Sequence, residues 1–278
     1  MARNPYEDLG QTRAHPARMY DVYLGGKTNY LADRKAAAQV MTVFPSVQVT
    51  ALENRRFMHR AARYAAERLG LRQFLDIGTG VPTEPNLHQV VHAYQPDARV
   101  VYADNDPIVL TYARALLTSD SEGSTDYVDA DVREPDKILE QAARTLDFTQ
   151  PACLSLVALL HFVPEDQDPY GIVGRLVDAL APGSALVLSH ATCDFDGQTE
   201  GVPPFAAVRD VYDAQGIRNR VVTREEMSRF FAGLELTEAG ITTTVEWMPE
   251  LETDGNRRLP GMISDAEVAL YAGVGIKP

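Results

Sequence analysis

Three sets of polar residues in this 278-residue sequence fall at the ends of three apolar runs. In FLDIGTGVPTEPN, residues 74–86, Asp76 lies within the first run and Gly78, Thr79 and Gly80 follow it. Glycines at such a point let the backbone turn sharply and let a ligand approach it closely, and a helix starting just beyond would offer free N–H groups. The run RVVYAD ends in Asp104, with Asn105 next, and Asp104 is placed 28 residues after Asp76. A carboxylate there can accept from both hydroxyls of a ribose. The run YVDADV carries Asp129, Asp131 and Val132, and Asp131 can accept from the exocyclic amine of adenine. A turn, a ribose acceptor and an adenine acceptor at successive strand ends fit an adenosyl ligand without phosphates. Their negative charge also suits a sulfonium cation. Taken singly, each acid fits a loop carboxylate or a cap as well, as Asp106 does for a helix beginning at Pro107.

The dinucleotide fingerprint is incomplete, because Thr83 stands where its third glycine belongs and Pro82 and Pro85 stiffen the turn. That weighs against a pyrophosphate and hence against an NAD-dependent oxidoreductase. His161 and His190, after the fourth apolar run and within the fifth, are the candidate catalytic acid–base groups, with pocket lining as the plainer alternative. Transfer from a sulfonium needs alignment more than proton transfer, and orientation alone can lower a barrier by ~7 to 11 kcal/mol.

Two further segments could enclose such a ligand. Tyr20, Tyr23, Gly25, Gly26, Lys27 and Asn29 are expected to fold over the strand ends, with Lys27 or a backbone N–H near a carboxylate of the ligand and Asn29 supplying hydrogen bonds. The alternative is a turn between helices whose glycines only cap. Residues 193–220 are expected to form a lid or insertion over the acceptor site, where Phe195, Phe205 and Tyr212 could line a pocket.

The elements that must hold these residues follow from periodicity. Short apolar runs at 74–77, 99–104, 125–130, 153–160 and 184–191 alternate with helical patterns, such as Leu87, Val90, Val91 and Tyr94 at i, i+3, i+4 and i+7. Helices are also expected over 108–117 and 172–180. This alternation predicts a doubly wound α/β fold with five parallel strands. Thr223 and Glu226 form a capping box for a helix over 224–234, and 241–248 and 267–276 read as two more strands, an antiparallel pair closing the sheet. Ahead of the sheet, residues 17–24, 31–44 and 49–69 read as helices, the last with a core stripe of Leu52, Phe57, Tyr64 and Leu69. The chain therefore divides into an N-terminal helical segment, 1–72, and a core, 73–278.

A net charge of −13 argues against general nucleic-acid binding,. The charge is uneven: residues 1–75 carry 12 Lys or Arg against 6 Asp or Glu, and the remainder 14 against 33, which suggests a basic segment packed on an acidic core. The two cysteines, Cys153 and Cys193, and the absence of an apolar stretch near the start point to a cytoplasmic protein without a membrane anchor,. No cluster with metal-ligand spacing occurs, so no metal is expected, and the sequence carries no signal for oligomeric state.

In order, LDIGTG, VVYADNDPIVL, VDADVREP, LVALLHFVPEDQDP and LAPGSALVLSHAT resemble the motifs of class I S-adenosylmethionine-dependent methyltransferases, whose fold is Rossmann-like. More closely, ARMYDVYLGGKTNYLADR at 17–34 and the ending YAGVGIKP resemble an S-adenosyl methyltransferase family formerly catalogued as a domain of unknown function. The likeness runs from Pro16 to Pro278, departing at Thr28, where the family more often has an acid, and at Pro85, where it more often has glycine. It implies S-adenosylmethionine as cofactor, with S-adenosylhomocysteine as product. Acidic charge favours a small-molecule hydroxyl or amine acceptor, and the alternative is a non-catalytic S-adenosylmethionine-binding regulator.

Overall fold

The computed structural model describes residues 10–116, 123–198, 205–252 and 261–278. Leu117, at the end of an expected helix, and residues 199–204 of the expected lid lie outside the described residues.

Helices α1 (Pro16–Tyr23), α2 (Leu31–Val43) and α3 (Val47–Arg63) precede the sheet. Five apolar runs then become strands β1 (Gln73–Ile77), β2 (Arg99–Asp104), β3 (Ser124–Asp129), β4 (Cys153–Leu156) and β5 (Ala185–Ala191). Helices α4 (Leu87–His92), α5 (Pro107–Leu116), α6 (Pro135–Ala142) and α7 (Pro169–Asp178) connect them. After β5 come α8 (Phe205–Ala214), α9 (Arg224–Arg229), the two-residue strands β6 (Glu235–Leu236) and β7 (Thr242–Thr243), α10 (Asp265–Val268) and β8 (Leu270–Ile276).

Among the described residues these strands make one sheet in the order β3-β2-β1-β4-β5-β8-β6, with β7 also on β8. Pairing is parallel from β3 to β5, and β8 runs antiparallel to β5, β6 and β7. Side chains alternate across it, as strand geometry requires. Leu75 and Ile77 of β1 pack with Ile138, Leu139, Ile172 and Leu176 of α6 and α7. Phe74 packs on the other face with Phe57 and Ala61 of α3, Leu87 of α4 and Trp247. Helices thus cover both faces, and the strand order reverses between β1 and β4. At such a switch point the crevice beyond the strands' carboxyl ends is the usual ligand site. A third cluster joins Met19 and Tyr23 of α1, Ala37 and Val40 of α2, and Val208 and Tyr212 of α8.

Three expectations are corrected. β4 ends at Leu156 rather than at residue 160, because Ala158 takes φ +53 and gives its N–H to Ser189 Oγ at 2.9 Å. The strand expected over 241–248 shrinks to Thr242–Thr243. Buried Arg60 donates to the carbonyls of Thr244 and Trp247, which removes them from any ladder. The start of the last expected strand is helical instead: Ser264 and Glu267 form a capping box for α10, and β8 begins at Leu270. The capping box of Thr223 and Glu226 is present, though α9 stops at Arg229. Near the chain end Lys277 Nζ donates to the carbonyls of Val177, Asp178 and Leu180, a cation at the C-terminus of α7,.

Candidate active site

A cavity of about 450 Å³ lies at the carboxyl ends of the parallel strands. Asp76, Gly78, Thr79 and Gly80 after β1, Asp104 and Asn105 after β2, and Asp131 and Val132 after β3 all line it. The three separate sequence signals therefore meet in one place. Gly78 and Gly80 have φ of +77° and +67°. A Cβ on Gly78 would lie 2.7 Å from Leu159 Cδ1, so only glycine passes there,.

Asp104 is buried, and its two oxygens accept from the N–H groups of Gly80 and Asp106, each at 2.9 Å. Burial raises its pKa, with those two N–H groups acting in the opposite direction. Each oxygen keeps a further lone pair, enough for two ribose hydroxyls. Asp76 lies in register with Tyr102 and Ser155. Burial raises its pKa as well, opposed by the hydroxyls of Ser155 and Thr79 and by the charge of Arg55.

Asp131 is already engaged. Its Oδ1 accepts from Arg133 N at 2.9 Å and Arg133 Nε at 2.6 Å, and its Oδ2 accepts from Asn105 Nδ2 at 2.6 Å and from Arg133 Nη2. Burial alone would raise its pKa, but the hydrogen bonds from Arg133 and Asn105 outweigh it and hold the carboxyl at about 2. An adenine amine can reach Asp131 only by displacing part of this set. The helix after the glycine turn, α4, starts at Leu87, where its periodicity begins, and Asn86 accepts from Thr83 N while Gln89 accepts from Asn86 N. Its first turn is not part of the cavity lining.

The glycine segment near residue 26 divides between two tasks. Tyr20 and Tyr23 line the cavity, whereas Lys27 is exposed and neither it nor Asn29 does. Asn29 Nδ2 donates to Asp21 Oδ2 at 2.7 Å and to Gly26 O at 3.0 Å. A Cβ on Gly26 would lie 1.9 Å from Asp21 Oδ1, and the backbone of Thr28 also bonds to Asp21. Lys27 and Asn29 thus belong to a turn wrapped on buried Asp21, and the expected pairing of Lys27 with a carboxylate in the cavity is not formed by this geometry. Arg18 fastens the segment to the sheet. Its guanidinium lies 3.1 Å from Asp33 and 3.3 Å from Asp106, which also contacts His15 at 3.2 Å and caps α5 through Ile108 N.

Sequence reasoning passed over Arg55. It lies on α3, where Ala51, Asn54, Arg55 and Met58 follow an i, i+3, i+4, i+7 pattern and all line the cavity,. The polar pair inside that stripe was the available signal. Leu52, expected in the core stripe, is 39% exposed. Arg55 Nη2 donates to Pro85 O at 2.8 Å, and the hydrogen bonds among described residues use no other Arg55 N–H group. Burial lowers its pKa, opposed by Tyr20, Asp76 and Tyr102. Beside it, Asn54 Nδ2 donates to Tyr20 Oη at 3.0 Å and Asn54 Oδ1 accepts from Ser189 Oγ at 2.6 Å. This buried chain ties α1, α3 and β5 to the loop after β4 through Ala158.

The two histidines separate. His161 lines the cavity, and burial, with His190 nearby, lowers its pKa to about 3. His190 is fully buried and outside the lining, with Nδ1 2.8 Å from Ala191 O and its ring stacked on Phe230. Burial lowers its pKa to about 4. His190 therefore has no access to a reacting group, and His161 is a weak base at neutral pH. Phe205 and Tyr212 line the cavity, with Tyr212 Oη 3.2 Å from Tyr23 Oη, whereas Phe195 packs on Tyr271 instead. Among the described residues no group of His, Cys, Asp and Glu is arranged to hold a metal ion.

A sheet with this strand order and acids gathered beyond its switch point defines the Rossmann-like methyltransferase class. A family model described as S-adenosyl methyltransferase matches residues 2–278. The chain belongs to that family and is an S-adenosylmethionine-dependent methyltransferase. It is similar to a DUF574 family protein from Streptomyces avermitilis, with 41% identity, 97% of this chain and 100% of that one covered, and a TM-score of 0.89. A protein from Thermobifida fusca with a provisional methyltransferase assignment is 37% identical, with 99% of both chains covered and a TM-score of 0.86. An O-methyltransferase family protein from Burkholderia thailandensis shares the fold alone, at 14% identity, 84% and 58% coverage and a TM-score of 0.50. No curated protein matches, and nothing found favours the non-catalytic alternative.

Proposed function

We propose that this cavity holds S-adenosylmethionine through Asp104 at the ribose, Asp131, Val132 and Asn105 at the adenine, and Arg55 with the Asp76–Gly80 turn at the methionine end, and that it methylates a small hydroxyl or amine acceptor. The observation carrying this reading is the convergence of three strand-end acids and Arg55 on a single cavity, whose other two arginines are engaged, Arg133 on Asp131 and Arg218 on Asp166. Their chemistry fits the group: acceptors for the nucleoside and a cation for the carboxylate. When bound, S-adenosylmethionine supplies a methyl carbon that the acceptor's lone pair attacks in line, the carbon–sulfur bond breaking to leave a neutral thioether. The chain's own contribution is alignment and exclusion of water. Burial lowers the His161 pKa to about 3, so this reading assigns it no proton-transfer role.

Helices α1 and α2 with the segment around α8 act as a roof over the site in this reading. A net charge of −13 supports a small acceptor over nucleic acid. Unpaired Cys153 and Cys193 support a reducing, cytoplasmic setting,, and among the described residues no helix is long and apolar enough to cross a membrane. Thermal shift with S-adenosylhomocysteine against NAD tests the cofactor assignment: stabilisation by the first alone is expected. Stabilisation by NAD alone would reject it.

A further inference from the structure

Beyond the strand ends the cavity is walled by neutral side chains, among them Leu159, Phe162, Phe205, Val208, Tyr212 and Ile217. The loop 157–164, α8 and the segments 216–219 and 268–270 contribute one charged side chain to the lining, Arg218, and Asp166 holds both of its terminal nitrogens at 3.1 and 3.0 Å. Three polar atoms in this part are shielded from solvent and have no hydrogen-bond partner among the described residues: His161 Nδ1, Asn219 Oδ1 and Asn219 Nδ2. Both residues line the cavity, and Arg220 N donates to His161 O at 2.8 Å, which sets the two segments side by side. Shielded polar atoms in folded proteins nearly always have partners, and for this set, on residues that line a cavity, a ligand can supply one.

We propose that Asn219, together with His161, is the acceptor-recognition pair, and that the methyl acceptor is a neutral phenol. A hydroxyl both donates and accepts, which matches a carboxamide and a neutral imidazole. An aliphatic amine would enter as a cation, and a carboxylate-bearing acceptor as an anion, with no free counter-charge in these walls. The rings of Phe162 and Tyr212, tilted 59° to each other with centroids 5.7 Å apart, pack together into one aromatic wall against which a flat ring can rest,. Asn219 and His161 are specificity-determining residues in this scheme, and neither acts on the transferred methyl. The inference rests on the cofactor reading above.

The test is calorimetric titration of the full chain saturated with S-adenosylhomocysteine, using 1-naphthol, 4-phenylphenol and 4-tert-butylphenol, against 4-phenylbenzoate and 4-phenylbenzylammonium. At least one phenol is expected to bind at least about tenfold more tightly than both ions, and Asn219→Leu is expected to weaken it about tenfold with S-adenosylhomocysteine affinity unchanged. Asn219→Asp supplies a counter-charge and is expected to shift preference towards the ammonium probe, so a poorly folded leucine variant does not decide the matter. Failure of all three phenols, equal binding of the ions, or phenol affinity untouched by both substitutions would overturn the acceptor proposal alone. Failure to take up S-adenosylhomocysteine would overturn the cofactor reading and this inference with it.

Discussion

Replacing Arg55 with methionine keeps the length of the aliphatic stem and removes the guanidinium from the cavity. In the free protein the loss is small, because the hydrogen bonds among described residues give that group one acceptor, Pro85 O at 2.8 Å. One such bond contributes about 0.5 to 1.5 kcal/mol, so the melting temperature should fall by a few degrees at most. With ligand bound the loss is larger. The other N–H groups are available to a carboxylate, and hydrogen bonds to charged groups contribute about 1.5 to 3 kcal/mol, which corresponds to roughly 10- to 150-fold in affinity. Calorimetry should therefore show S-adenosylhomocysteine binding weakened by that factor. The companion ligand 5′-methylthioadenosine has the same nucleoside and sulfur but no carboxylate, and its affinity should be unchanged. Equal losses for both ligands, or no loss for S-adenosylhomocysteine, would refute the assignment of Arg55 to the carboxylate.

Asp104→Asn removes the charge beside Gly80 and Asp106 and turns one acceptor into a donor facing a backbone N–H. Both S-adenosylhomocysteine and 5′-methylthioadenosine should then bind at least about tenfold more weakly in calorimetry, unlike the split expected at Arg55. Gly26→Ala places a Cβ where Asp21 Oδ1 stands, 1.9 Å away, and should cost about 1 to 3 kcal/mol by denaturant titration. Lys27→Ala next to it should leave both stability and cofactor affinity unchanged. His190 has its pKa lowered by burial to about 4 from 6.5. The unfolded chain therefore binds more protons between those values, and stability falls as pH drops below about 6.5, by about 3 kcal/mol at pH 4 from this group. His190→Asn should show a visibly flatter stability profile over pH 4 to 6.5, measured by denaturant titration at each pH. An unaltered slope would mean that the buried imidazole is not responsible.

The doubly wound sheet and the acids at its strand ends were legible in the sequence because they are local. A strand buried on both faces reads as a continuous apolar run, and the residue that ends it sits at the carboxyl edge in whatever sheet it joins. Asp104 and Asp131 could therefore be placed in one crevice before any contact was known. The shortening of the strand expected over 241–248 to β7 was not legible, since Arg60 takes two of that segment's carbonyls across more than 180 residues. Periodicity within a window contains no trace of so distant a donor.

Residue type and spacing by themselves pointed to the class of ligand, a nucleoside without phosphates, and to the strand-end carboxylates proposed to hold it. Tertiary structure decided which of these residues reach the cavity, exposing Lys27 and turning Arg55 inward, admitting His161 and burying His190 behind Phe230. Those choices depend on how α1 and α3 rest on the sheet. A side chain's direction is set by the packing of its whole element, whereas its chemistry is carried by the residue alone.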